Sequence, residues 1–385
     1  ISLVAFSILS YFVFNNADQF DSKALPVETE FVQEQSTFDN FKTTVLYNLG
    51  EPTAMLLLQI IAILLVSRIF GTIFKRLGQP TVIGEILAGI FLGPSILGVF
   101  SPEIFGFLFN PSTLSNIYIV SQLGLILFMF TVGMELDLGM LRSKMSNTLV
   151  ISHASIIIPF SLGMILAWYL FADYAAGHTD FLSFALFIGI SMSITAFPVL
   201  ARIVQERGLT KTHLGNISIA SAANDDITAW CLLAGVTAVA KTGSFASSMY
   251  TILFSILYIL VMLLIIRPFL HRIGAIYKNS EVVNKSVFAF FLLILILSAY
   301  ATQIIGIHAL FGAFFAGVIM PPLPSFRKLF IDKIEDISLT LLLPLFFVYT
   351  GLKTEIGLVN TPQLWAICAL ITLTAIVGKF VGSAF

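Results

Sequence analysis

Apolar runs of about 17 to 25 residues, each able to cross hydrocarbon as a helix, follow one another along most of the chain with short polar stretches between them. They predict eleven spans: Thr53 to Gly71, Thr81 to Gly98, Asn116 to Glu135, Thr148 to Phe171, Phe181 to Ile203, His213 to Ala240, Ser248 to Leu270, Lys285 to Ile304, Gly306 to Met320, Ile337 to Gly351 and Leu364 to Phe385. The ninth and tenth are short. Backbone left unpaired against lipid is too costly to survive, so a chain of this pattern must be helical where it is buried. The predicted fold class is an all-α polytopic membrane protein. A further apolar stretch, Ile1 to Phe14, fits either a trimmed extra span or the core of a signal peptide. Starting at Ile1 and stopping at Phe385 inside an apolar run, the chain reads as a fragment.

Loop charge orients the spans, because Lys and Arg collect on the cytoplasmic side. Lys75 and Arg76 follow span one, Arg142 and Lys144 span three, and Arg207 and Lys211 span five. Arg267, Arg272, Lys278 and Lys285 follow span seven, and Arg327, Lys328 and Lys333 follow span nine. The opposite loops hold Lys241 and Lys353, with Lys23 and Lys42 in the N-terminal segment. Span one therefore starts outside, and the segment before it, with Asp18, Asp21, Glu28, Glu30, Glu34, Asp39 and Glu51, is extracytoplasmic.

Composition narrows the class further. With 58% hydrophobic and 11% charged residues, the chain falls far below the roughly 25% charge of soluble domains. A net charge of −1 with no basic stripe excludes a nucleic-acid partner. Cys231 and Cys368 lie in apolar spans and suit small core residues, not a disulfide framework or a zinc site. His153, His178, His213, His271 and His308 have no ligand spacing; His308, opening span nine, suits a helix-end packing role.

Two motifs recur. Gly84, Ala88, Gly89 and Pro94 of span two match Gly312, Ala316, Gly317 and Pro322 of span nine. Phe128, Gly133, Met134, Asp137, Leu138 and Gly139 of span three match Phe346, Gly351, Leu352, Glu355, Ile356 and Gly357 of span ten. Small residues at such spacing also serve simple helix packing. Both matches share an offset of an odd number of spans, which predicts an inverted repeat of the kind secondary transporters use. On that reading the partners of spans five and six lie beyond Phe385.

Charges at membrane depth cost at least about 2.5 to 3.5 kcal/mol each and mark function. Asp225 and Asp226 fall near the middle of span six, preceded by Asn224. Neighbours on a helix point about 100° apart, so the two acids face different surroundings and have different roles. A buried carboxylate pair of this kind can exchange a proton for a cation. Lys379 in span eleven has a stem long enough either to reach an aspartate or to snorkel to the cytoplasmic interface; flanked by Gly378 and Gly382, it is the counter-charge expected to reach inward. In span five, Pro198 removes the donor for the Ile194 carbonyl, so the helix should kink or unwind beside Ser193 and Thr195 and offer oxygens that hard cations favour. Pro344 would free the Thr340 carbonyl, with packing as its expected role. Glu135 is expected as a helix-end charge, and Glu85 near the cytoplasmic mouth, secondary to the site.

From about Glu51 to Phe385 the sequence resembles the monovalent cation:proton antiporter-2 family, which includes Kef-type systems, plant cation/H⁺ exchangers and bacterial Na⁺/H⁺ antiporters. The likeness rests on Gly78-Gln-Pro-Thr-Val-Ile-Gly-Glu-Ile-Leu-Ala-Gly89, Ser193-Ile-Thr-Ala-Phe-Pro-Val-Leu-Ala-Arg202, Asp225-Asp-Ile-Thr-Ala-Trp230, Gly306 to Gly317 and Gly378-Lys379. It implies an inverted-repeat Na⁺/H⁺ antiporter-like fold with about eleven of roughly thirteen core helices present. That fold has a dimerising panel and a mobile core with crossed broken helices. It also implies that Asp226 is the ion-binding acid, that Asp225 pairs with Lys379, and that Thr195 sits at the first helix break. Asn224 makes an Asn-Asp register conceivable, although the following Ile-Thr-Ala-Trp favours Asp225-Asp226.

The resulting expectation is secondary active antiport of Na⁺ or K⁺ against H⁺ by alternating access, with the alkali cation at Asp226 and no resident cofactor or enzymatic activity. Residues 1–14 would be a partial N-terminal segment, 15–52 an acidic extracytoplasmic segment and 53–385 the antiporter domain, in a plasma or inner membrane. Membrane lipid, a second copy in a homodimer and a cytosolic regulatory domain beyond Phe385 are the expected partners. The alternatives are a cation-coupled solute symporter or a gated cation channel of related fold. An intramembrane aspartyl protease fails on spacing, because its acids must face each other across one water.

Overall fold

A computed structural model describes residues 37–136, 145–175, 177, 180–242, 246–276 and 284–384. The Ile1 to Phe14 segment, the Asp137-Leu138-Gly139 end of the second motif, and Arg142, Lys144 and Lys278 lie outside the described residues. In the N-terminal unit, which ends at Met55, Thr37–Gly50 forms α1, a helix within the segment expected only to be polar.

The second unit is built of helices, and each predicted span corresponds to one or two of them. They are α2 (Pro52–Arg76), α3 (Thr81–Leu92), α4 (Pro111–Glu135), α5 (Met145–Tyr174), α6 (Phe181–Ser193), α7 (Phe197–Glu206) and α8 (His213–Thr242). There follow α9 (Ala246–Val261), α10 (Arg267–Ile276), α11 (Lys285–Ile305), α12 (Ala309–Val318), α13 (Pro324–Ile337), α14 (Leu343–Leu352) and α15 (Pro362–Ala384). Among the described residues nine helical segments are long and apolar enough to cross a membrane, and α12 is a shorter apolar helix. On α2 the exposed Leu57, Ile61, Leu65, Ile69 and Ile73 form an i, i+4 stripe, while Gln59 and Ile63 are buried. Cys368, expected in a core, is exposed on α15.

One group of helices is a scaffold. α3 packs on α14 and on α2, α12 packs on α4 and α11, and α4 also packs on α14. A second group gathers around α5, which packs against α6, α15 and α8. α7 lies on α8 and reaches the scaffold at α3 and α4.

The repeated glycines sit at the tightest crossings of the scaffold, and the crossings are reciprocal. A Cβ on Gly89 would strike the Val348 carbonyl and Gly351, and one on Gly317 would strike the matching Phe130 carbonyl and Gly133. In return, a Cβ on Gly351 meets the Ile86 carbonyl, and one on Gly133 meets the equivalent Phe314 carbonyl. Each motif thus packs on the other motif's counterpart, not on its own neighbour. Gly89→Val is expected to cost about 3 kcal/mol or more, because backbone cannot yield as a side chain can. Gly106→Ala, with nothing within 4 Å of its Cβ position, serves as the near-neutral control. Folded yield by size-exclusion chromatography checks the pair; equal yields would refute the packing.

Two boundaries differ from expectation. The charged stretch expected as a loop before Ile337 is the helix α13, because Phe326, Phe330 and Ile334 recur at i, i+4 and i+8 and bury one face. α13 runs into α14 through a π-helical turn, Ser338–Leu342, just before Pro344. That wider turn accommodates the missing proline donor, and the Thr340 carbonyl it leaves accepts weakly from Arg68 at 3.5 Å. Nearby, Arg327 donates to the carbonyls of Pro321 (3.0 Å), Met134 (2.7 Å), Met320 (2.7 Å) and Val318 (3.4 Å), clamping the ends of α4 and α12 together.

The Lys/Arg-rich loops converge. Arg207 donates to the Gly78 carbonyl at 2.7 Å, and Lys211, Arg267, Arg327 and Lys328 share one cavity of about 750 Å³. Glu135, the last residue of α4, lines the same cavity.

Candidate functional site

The fifth span is interrupted. α6 starts at Asp180, whose side chain accepts from the Ser183 N–H, a bond that holds this carboxyl below its ordinary range. It ends at Ser193; Ile194, Thr195 and Ala196 are non-helical, and α7 begins at Phe197 with Pro198 in its first turn. Proline is well suited there, since the first N–H groups of a helix have no internal acceptor. The break leaves Ser193 and Ile194 at the carbonyl end of one half-helix, and Phe197 at the N–H end of the other.

α8 carries the two acids past this break, and they do face different ways. Asp225 is 4% exposed. Its Oδ1 accepts from Ser152 Oγ at 2.5 Å, and its Oδ2 accepts from Ser155 Oγ at 2.8 Å and Thr195 Oγ1 at 3.3 Å. Lys379 Nζ stands 3.9 Å from Oδ2 and donates to the Ser193 carbonyl at 2.5 Å and to Thr195 Oγ1 at 2.7 Å. Thr195 therefore accepts from the ammonium and donates to the carboxylate. Lys379 can reach inward because Gly378 and Gly382 let α15 press against Pro159 and Ala154 of α5. Asp226 is partly buried and interacts with the Phe197 N–H at the start of α7. The positive end of that half-helix points at an acid, a favourable pairing.

Of the sequence-derived candidates, Asp225, Lys379, Thr195 and the Ser193 carbonyl meet directly, and Asn224 joins them by donating to Ser152 Oγ at 2.7 Å. The Ser193 hydroxyl turns back to the Ile190 carbonyl, and the Ile194 side chain is 40% exposed. Glu85 is elsewhere, on a cavity with Arg202 and Glu206. His308 caps α12, its Nδ1 accepting from the Leu310 N–H, at a φ of 69°. Ser152 and Ser155 on α5 were not anticipated; their i, i+3 spacing, which puts both hydroxyls on one helix face, is the available signal.

Each serine bonds a charged group, a class of hydrogen bond worth about 1.5 to 3 kcal/mol. Ser155→Ala is therefore expected to lower thermal stability measurably, and the Ser152→Ala/Ser155→Ala pair to lower it by less than the sum, since both act on one carboxylate. Unfolding curves in detergent test this, and full additivity would mean that the serines do not share Asp225. Among the described residues no group of three His, Cys, Asp or Glu gathers as a metal site would require.

An interrupted span facing paired acids and a half-buried lysine inside a multi-spanning helical protein defines an ion-translocating membrane carrier. The model of the sodium/hydrogen exchanger transmembrane family matches residues 61–385, and the chain belongs to that family. It is an integral multi-pass transporter and not an enzyme. It is 43% identical over 329 residues to the Na⁺/H⁺ antiporter NhaS4 of Synechocystis, covering 85% of this chain and 80% of that one. It is 38% identical over 330 residues to cation/H⁺ antiporter 17 of Arabidopsis thaliana, covering 86% of this chain and 40% of the relative. To the K⁺/H⁺ antiporter 1 of Saccharomyces cerevisiae it is 33% identical over 327 residues, covering 83% and 37%. The chain thus spans most of the cyanobacterial relative and about two-fifths of the plant and yeast ones.

Proposed function

We propose that this chain exchanges a monovalent cation, Na⁺ or K⁺, for protons, with Asp226 as the exchanging acid. The observation that carries the reading is the division of labour between the two aspartates. Asp225 is engaged by three hydroxyls and an ammonium, whereas among the described residues Asp226 meets the N–H end of α7 and keeps acceptor capacity. A carboxylate with free lone pairs can hold either a proton or an alkali ion, and competition between them couples their movements. Thr195, the Ser193 carbonyl and the Ile194 carbonyl are the oxygens nearest in kind to what such an ion prefers. Cation entry would draw on the oxygens that Lys379 now occupies, so the Asp225–Lys379 pair opens as the ion binds.

The group around α5 (α5, α6, α8 and α15) would then move, with α7, as an elevator against the scaffold. Reciprocal packing of the two glycine motifs supports an inverted repeat as the frame for that motion. Names of relatives that specify Na⁺ in one case and K⁺ in another support the ion class. A homodimer and lipid contact belong to the same proposal. The test is cation-driven pH change in vesicles holding the full-length protein, run across several alkali cations. Antiport predicts a pH change for Na⁺ or K⁺ without added solute. Solute-dependent uptake would indicate symport, and current without a proton gradient a channel.

A further inference from the structure

The two oxygens of Asp225 have different surroundings. Oδ1 accepts from Ser152 Oγ at 2.5 Å, and that serine is itself held by Asn224 Nδ2 at 2.7 Å. Oδ2 faces the helix break, where Lys379 Nζ stands 3.9 Å away, Thr195 Oγ1 donates at 3.3 Å and Ser155 Oγ donates at 2.8 Å. Ser155 therefore serves the same oxygen as the ammonium. It also has a second acceptor, because its Oγ lies 2.9 Å from the Ser152 carbonyl, one turn back along α5. A hydroxyl carries one hydrogen, which cannot be given in full to both. A carbonyl inside a helix already accepts from the N–H four residues on, so it loses little when the hydroxyl turns away. An ionised carboxylate gains more, since hydrogen bonds to charge are the stronger class.

The ammonium is bound mainly elsewhere. Lys379 donates to the Ser193 carbonyl at 2.5 Å and to Thr195 Oγ1 at 2.7 Å, both on the interrupted span, and only approaches Oδ2. Those two oxygens are the ones that the antiport reading gives to the cation. When Lys379 withdraws from them, buried Asp225 loses its counter-charge, a costly state unless hydrogen bonds take its place. Ser155 is placed to supply one. A Cβ on Gly382, three residues past Lys379, would meet Ser155 Cα at 3.0 Å, so the serine sits under the crossing that brings the lysine in. α5 packs on both α8 and α15, which keeps donor and acceptor together as the group moves.

We propose that Ser155 is a positioning residue for cation binding. Its hydroxyl is shared between the Ser152 carbonyl and Asp225 while Lys379 occupies the break, and commits to Asp225 Oδ2 when the cation displaces the ammonium. The ion-bound state is thereby stabilised more than the resting one. This rests on the antiport reading above and deepens it, by naming the group that takes over from Lys379. Removing the hydroxyl should raise the KM for the cation about tenfold at fixed pH, equivalent to about 1.4 kcal/mol. The loss falls in KM and not in turnover at saturating cation, because the weakened interaction belongs to binding.

The full-length protein in proteoliposomes gives KM and turnover for Na⁺ and K⁺, and the cation-dependent rise of unfolding temperature in detergent reads binding without transport. In Ser155→Ala both the KM and the midpoint of that rise should move to about tenfold higher cation. Ser161→Ala is the control on the same helix: that hydroxyl is exposed, bonds the Ile157 carbonyl at 2.8 Å, and its loss should leave both values as in wild type. Should Ser155→Ala fail to give monodisperse protein, Ser155→Cys takes its place with the same expectation, since a thiol is only a weak donor. A serine with a purely structural role would lower the unfolding temperature and leave KM and midpoint alone. That result, or a loss confined to turnover, overturns the proposal. Wild type with no cation-driven pH change at all would instead sink the antiport reading itself.

Discussion

Asp226→Asn is expected to abolish cation-dependent proton movement in vesicles while the protein still folds and inserts. The amide has nearly the same shape and can still accept from the Phe197 N–H, so packing at the start of α7 survives. What disappears, on the antiport reading proposed above, is the exchangeable proton and the negative charge proposed to hold a cation. Uniform weakening of binding would leave slow exchange at high cation concentration. Loss of the exchanging group leaves none, and the measured rate should fall to that of empty vesicles. Size-exclusion behaviour and unfolding temperature like those of wild type would separate lost chemistry from lost structure. Full exchange by Asp226→Asn would remove Asp226 from the mechanism.

The second large effect is on stability. Lys379→Met keeps the length of the stem but leaves Asp225, 4% exposed, with hydroxyl partners and no counter-charge. It also strips donors from the Ser193 carbonyl and Thr195 Oγ1 at the break. Removing one member of a buried pair costs about 3 to 5 kcal/mol. The Lys379 side chain is 26% exposed, so the lower end, about 3 kcal/mol, applies here. Adding Asp225→Asn should recover part of that loss, because the orphaned charge is then gone. Unfolding curves of the two single variants and the double variant give the coupling, and strict additivity would refute the pair.

Much of this was legible beforehand because lipid permits so few solutions. A run such as Pro52–Arg76 or Lys285–Ile305 has nothing to do but cross as a helix, and its charges gather at the ends. Asp225, Asp226 and Lys379 stood out because charge at that depth has no ordinary explanation. Ser152 and Ser155 did not, because hydroxyls are common in apolar helices and often bond their own backbone, as Ser191 and Ser193 do. The helix from Pro324 to Ile337 was hidden by its acids and bases, which mask the three buried positions that define its face. The cap that Glu206 gives the Thr81 N–H at the start of α3 depends on two segments far apart in sequence, and no local pattern announces it.

The Arg327 clamp bears on how the two repeated motifs are joined. Its Nε, Nη1 and Nη2 each take a different set of peptide oxygens, from Pro321, from Met134, and from Met320 with Val318, so one side chain fastens the last turn of α4 to the last turn of α12. A lysine there would offer donors from a single nitrogen and lose that breadth, so the joint depends on the planar, forked shape of guanidinium and not on its charge alone.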